Sequence, residues 1–233
     1  MPKVIINDPS TNRTAPQQPR QRCPEGLESY KALPPPKAPN RHPQPLGPLD
    51  DIAFDSDILN SAEGQKLGKS PLDFLTEHLP DFSSATKIFT TRLFLPNTKV
   101  AREFHAACDN VPNVLVIIKS GQYIAGGFTA VAFESPESFH LKADPNFSTF
   151  LFSLNRHKLY PLKDKDYAIV CDKEYGPIFG CSGICIGDNY ANDKYFETCY
   201  EENSSFYDSS AVEGELFGTV RFTVDEYEVF QLQ

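Results

Sequence analysis

The chain contains no tryptophan and a single methionine among its 233 residues. It has no run of about 18 apolar residues, so no membrane-crossing helix is expected. The opening stretch, from Met1 to Pro9, holds only Val4, Ile5 and Ile6 as a hydrophobic block. That is too short for a secretory signal, and Asp8 with its neighbouring prolines interrupts any amphipathic transit helix. A cytoplasmic location is the expectation, with a cilium or cytoskeletal structure as a narrower possibility. The six cysteines are Cys23, Cys108, Cys171, Cys181, Cys185 and Cys199. None forms a CxxC pair, so free thiols are expected rather than a zinc site. The five histidines lie in no HExxH or GxSxG context, and there is no phosphate-binding loop or dinucleotide fingerprint. No catalytic residue, cofactor or metal is therefore expected, and the chain is read as a non-enzyme.

Basic charge is scarce outside the first 50 residues. Those carry seven Lys/Arg against four Asp/Glu, a net of +3. The remainder carries 15 against 27, a net of −12. A body this acidic argues against nucleic acid as the main partner, because phosphate binding needs clustered cations. Residues 1–50 also hold 12 of the 20 prolines, including Pro34, Pro35 and Pro36. Large apolar residues are sparse there, too sparse to offset the entropy of ordering the segment alone. Residues 1–69 are expected to form an extended proline-rich tail and linker, with one short turn around 52–59. Arg20, Arg22 and Pro34–Pro36 are its candidate contacts with an acidic protein surface.

The rest is organised around residues 112–133. Val114 to Ile118 is a continuous β-branched and leucine run, as expected of a strand covered on both faces. Lys119 to Gln122 reads as a turn, and Tyr123 to Phe133 as the returning strand. Gly126 and Gly127 interrupt that strand, which calls for a bulge or a close approach by another group. Helices are predicted from Pro71, capped by Ser70 and stopped by Pro80, and over Thr98–Cys108, capped by Asn97. Further strands are expected over 87–95, 146–154, 159–162, 167–171, 181–186, 216–224 and 226–232. Eight to ten short strands with two or three helices suggest a mostly β, α+β fold: a sandwich of two antiparallel sheets flanked by short helices.

Seven stretches, in order, resemble the TLDc domain: Phe104–Asn110, Val114–Ser120, Ile124–Phe128, Phe150–Asn155, Tyr175–Gly180, Ile186–Asn189 and Val224–Leu232. The chain is similar to divergent protist members of that family, with residues 70–233 as the domain. The resemblance implies the same two-sheet sandwich. It marks Gly126, Gly127, Phe128, Gly176, Pro177, Gly180, Glu226, Glu228 and Phe230 as structural motif positions. One departure is the run Cys181-Ser182-Gly183-Ile184, where the family has more glycine and a polar pair.

Glu226 and Glu228 are two apart on a strand and share a face. That face is read as open to solvent or a partner rather than as an acid/base pair. The resemblance implies a non-catalytic structural or interaction protein. Some TLDc proteins bind and regulate the vacuolar proton pump, the V-ATPase. A small TLDc body with an extended tail would also suit a ciliary, axonemal microtubule complex, the tail running between tubulin subunits. The axonemal complex is the leading expectation. Proton-pump regulation or oxidation resistance is the alternative, and an uncharacterised hydrolase a minor one. Oxidation resistance through thiols needs a cysteine of lowered pKa. Cys171, with Lys173 two residues on, is the better candidate; Cys199 sits among Glu197, Glu201 and Glu202, which would raise its pKa.

Overall fold

The computed structural model describes residues 54–67, 71–95, 98–180, 183–187, 196–197, 206, 214–219 and 221–233. Among these residues there are three short α-helices: α1 (Ala62–Gln65), α2 (Pro71–Thr76) and α3 (Ala101–Cys108). The strands are β1 (Ala85–Thr90), β2 (Val114–Ser120), β3 (Tyr123–Thr129), β4 (His140–Lys142), β5 (Phe150–Ser153), β6 (Lys158–Pro161), β7 (Ile169–Cys171), β8 (Tyr175–Phe179), β9 (Ile184–Gly187), β10 (Phe196–Glu197), β11 (Arg221–Phe222) and β12 (Glu226–Leu232). Six of them form one antiparallel sheet in the order β1-β12-β2-β3-β5-β6, and four form another in the order β4-β7-β8-β9. The expected two-sheet, mostly β architecture is thus observed.

The β2–β3 hairpin turns through Gly121 and Gln122, with Ser120 opposite Tyr123 and Val114 opposite Thr129. Gly121 takes φ +57, which favours glycine in a tight hairpin turn. One face of the hairpin, through Val114, Val116, Ile118 and Ala125, meets Ile169, Phe179, Ile184 and Ile186 of the smaller sheet and Phe104 of α3. The other face, through Leu115, Ile117, Ile124 and Phe128, meets Phe54, Ile58, Leu59, Phe74, Leu75 and Leu79. Both faces are dry, which is why the run lacks the polar alternation of a half-exposed strand.

Gly126 and Gly127 keep regular register with Ile117 and Val116, so they form no bulge against β2. They are close-approach sites instead. A Cβ on Gly127 would stand 2.7 Å from the Phe179 ring, and one on Gly126 would stand 2.9 Å from the Phe152 ring and 1.9 Å from the Val116 carbonyl oxygen. Phe152 belongs to the outer apolar layer and Phe179 to the inner one. Two rings therefore lie against the strand from opposite sides.

Several predicted boundaries move. The strand expected over 87–95 ends at Thr90, whose hydroxyl accepts a hydrogen bond from the Arg92 N–H and caps a 3₁₀ turn, Thr91–Leu93. The strand expected from Asn146 starts only at Phe150. Buried Asp144 holds the intervening loop by accepting from the Asn146 and Thr149 N–H groups and from the hydroxyls of Ser148 and Thr149. The β1–β12 pairing shifts register between Lys87 and Phe89. Helix α3 begins at Ala101 with Val100 in the cap position and no side-chain cap. Asn97 and Ser70, the predicted caps, lie outside the described residues.

The largest correction concerns 51–69, expected to be linker. Residues 54–67 instead form a strap across the outer face of the large sheet. Phe54, Ile58 and Leu59 are buried there, and the Phe54 ring lies 5.1 Å from that of Phe230.

Replacing Gly127 by alanine forces a methyl group into the Phe179 ring. Overpacking of this kind costs about 1–3 kcal/mol. Urea unfolding of Gly127→Ala should show a lowered midpoint with an unchanged slope.

Candidate functional site

Glu228 sits near the middle of β12, between β1 and β2, and is fully buried. A buried carboxylate needs donors. It finds three. The Ser56 hydroxyl donates to Oε2 at 2.5 Å, the Asp57 N–H donates to Oε1 at 3.0 Å, and Lys87 Nζ lies 2.9 Å from Oε1. Lys87 also reaches Asp57 at 3.1 Å, and Arg92 pairs with the other Asp57 oxygen at 2.6 Å. The Ser56 oxygen in turn accepts from the Leu59 N–H at 3.0 Å. A hydrogen bond from Lys87, with the positive charges of Lys87 and Arg92, holds the Asp57 carboxyl below its usual range.

Glu226 lies two residues away on the same face. Oxygens of Asp57, Glu226 and Glu228 come within 4.8 Å of one another. Lys87, touching both Asp57 and Glu228, supplies the cation that such a cluster needs. Glu226 has one buried oxygen with no hydrogen-bond partner. Burial, reinforced by the neighbouring Glu228 charge, pushes its carboxyl above the usual carboxylate range. The expectation that this glutamate pair faces solvent or a partner is overturned at Glu228, while Glu226 is half-buried. The strap covers the face, and Ser56, more than 170 positions away in sequence, supplies the donor that makes burial tolerable.

His105, on α3, is buried as well. Its Nε2–H faces the carbonyl oxygens of Asp172 (3.0 Å) and Tyr175 (2.9 Å), and its Nδ1 lies 2.7 Å from Asp109. The ring ties the helix to the β7–β8 turn. A shallow groove beside it is lined by Lys99, Arg102, Glu137 and Lys173, among others. Both signs of charge meet there, and Lys173 is paired with Glu137.

The remaining motif positions fall at packing and turn positions of the two sheets. Phe128 packs its ring 5.5 Å from Phe150, and Phe230 joins the outer layer. Gly176 and buried Pro177 lie where β8 shifts register against β9, a place where a strand accepts proline. Gly180 takes φ +60 and donates its N–H to the Ala168 carbonyl. Arg20, Arg22, Pro34, Pro35 and Pro36 lie outside the described residues, as do Cys181 and Ser182.

The thiol expectation for Cys171 fails. The side chain is 1% exposed, and burial pushes the thiol up to about 11. Lys173 does not assist it because its ammonium is committed to Glu137. Cys108 is equally buried, with its thiol pushed up by the same cause.

Sequence reasoning missed one exposed feature. Leu93 and Leu95, on and just after the 3₁₀ turn, are 81% and 79% exposed, while Phe94 between them packs on the core. The apolar run Leu93-Phe94-Leu95 reads as buried strand; only the turn at Thr90 directs its outer members to water.

Two outcomes are expected. Removing a single partner of a buried ion pair leaves the others uncompensated. Glu228→Ala should therefore lower unfolding stability by about 3 kcal/mol or more, with Glu228→Gln less affected. In a thiol-labelling time course at neutral pH, Cys108 and Cys171 of the folded protein should react only after unfolding.

A comparison with curated proteins found no match. The family model for the TLDc domain matches residues 75–233, from the end of α2 to the C-terminal residue. That span contains both sheets, the glycine pair and the Glu226–Glu228 strand, and the chain belongs to the TLDc family.

Proposed function

We propose that this protein is a non-catalytic docking module that holds a place in a large intracellular assembly. The TLDc family is one of interaction and oxidation-resistance modules. The observation that carries the docking reading is the Leu93–Leu95 turn. Two leucines left in water, one on a 3₁₀ turn and one just after it, gain by being covered, and paired apolar exposure of this kind suits a protein contact site. Among the described residues, three buried polar groups serve structural ties: Glu228 anchors the strap, His105 ties α3 to a turn, and Asp144 holds a loop. The basic, proline-rich N-terminal segment supplies a second contact, suited to an acidic protein surface. The microtubule lattice of an axoneme, which is acidic and extended, is the partner we favour. Proton-pump regulation is the competing partner assignment. The burial of Cys108 and Cys171 removes support for a thiol mechanism at those two positions.

Affinity purification of the tagged full-length protein, followed by mass spectrometry, tests this. Tubulin and axonemal proteins should co-purify; proton-pump subunits in their place would transfer the assignment to the pump. Recovery as a lone monomer would defeat both. Deleting residues 1–50 should leave the domain folded and weaken incorporation. The double variant Leu93→Asp/Leu95→Asp should reduce capture several-fold at unchanged thermal stability.

A further inference from the structure

The strap, residues 54–67, precedes the family-matched region yet covers its large sheet. Its apolar hold is modest: Phe54, Ile58 and Leu59 are buried and Leu67 is partly so. Polar ties supply much of the remaining grip. Ser56 and the Asp57 N–H bind Glu228, the Asp57 carboxylate binds Lys87 and Arg92, and Glu63 binds Lys119 of β2 at 3.1 Å. Segments held by few apolar contacts open more readily than the core they lie on.

Glu226, half-buried, stands beside this latch, its carboxylate within 4.8 Å of those of Asp57 and Glu228. It faces Glu228 along its own strand, Asp57 from the strap, Arg92 from the 3₁₀ turn and Lys119 from β2. Every one of those cations already has an acid. Arg92 pairs with Asp57 and Lys119 with Glu63, and Lys87 of β1 serves both Glu228 and Asp57. An ionised Glu226 would therefore add a negative charge beside Glu228 and Asp57, with a buried oxygen that nothing described satisfies.

We propose that residues 54–67 form a proton-gated strap, closed over the sheet while Glu226 is protonated and released as Glu226 ionises. A carboxyl whose folded-state pKa is raised contributes stability that is fully present below its unfolded value and is lost as pH rises through the folded value. Here that contribution belongs to the closed strap, because opening adds water around the buried oxygen of the half-buried Glu226 and removes Asp57 from its side. Asp57 acts in the opposite sense. Its carboxyl is held low by Lys87, so its tie fails only as pH falls through that depressed value. The strap is then closed in mildly acidic solution and opens as pH climbs. Opening uncovers Phe230 and the Glu228 carboxylate, and frees the start of the domain from the sheet.

Hydrogen exchange on the full-length protein, corrected for the intrinsic pH dependence of amide exchange, reads the gate directly. The Asp57 and Leu59 amides, which donate to Glu228 and Ser56, are the reporters. Their protection should fall as pH rises from the ordinary carboxylate range through the raised value of Glu226, approaching tenfold per pH unit across that interval. Protection of the β2 and β3 amides should not follow. Glu226→Gln, which cannot ionise, should hold the low-pH protection across the range. Ser56→Ala should lower strap protection throughout while keeping its pH slope, a result that a merely structural Glu226 would not produce. Flat strap protection in the natural sequence, or a slope that survives in Glu226→Gln, would overturn the proposal.

Discussion

A strand that carries five apolar side chains in succession cannot leave either of its faces in water. The β2 strand imposes that condition, and the rest of the molecule answers it. On one side the smaller sheet and α3 supply Ile169, Phe179, Ile184 and Phe104. On the other, where a two-sheet sandwich would end, α2 and the strap supply Phe54, Ile58, Phe74 and Leu75. The hairpin is thus the middle layer of three, and its side chains are removed from water in both directions. The glycine pair follows from the same condition. Phe152 and Phe179 can approach the strand closely only where no Cβ intervenes.

Burial on the outer side has an electrostatic consequence. The β12 strand brings Glu226 and Glu228 to the face that the strap covers. A buried carboxylate is tolerated only with donors and a counter-charge. Ser56, the Asp57 amide and Lys87 meet that need for Glu228, and by doing so they fix where the strap lies. The apolar contacts bring the strap to the sheet, whereas the ionic contacts set its register on it. Glu226 receives no such partner, which leaves an imbalance built into the junction.

Much of the fold was legible in the sequence. The unbroken run Val114–Ile118 announced a strand covered twice, and the glycine pair announced a close neighbour. The strap was not legible. Phe54, Ile58 and Leu59 are three apolar residues in an acidic stretch, spaced too irregularly for an amphipathic pattern, and they acquire meaning only against Phe230. Glu228 was misjudged for a related reason. Alternation along β12 correctly placed it with Glu226 on one face, but periodicity says which residues share a face and not what covers it. Its covering donor lies in another part of the chain. Leu93 and Leu95 were misjudged by composition, since a leucine run ordinarily continues a strand and here a single threonine cap ends it.

Among the described residues, the two ends of the large sheet are strands with a neighbour on one side only, β1 and β6. Unsatisfied edges of this kind recruit other chains and seed aggregation. Each has a feature that discourages such recruitment. The β6 strand ends at Pro161, which offers no N–H to an incoming strand. The β1 strand slips register between Lys87 and Phe89, so it does not present the flat, evenly spaced ladder that another copy could extend. The irregular β1 edge and the proline on β6 therefore disfavour pairing of the large sheet with a second copy of the chain.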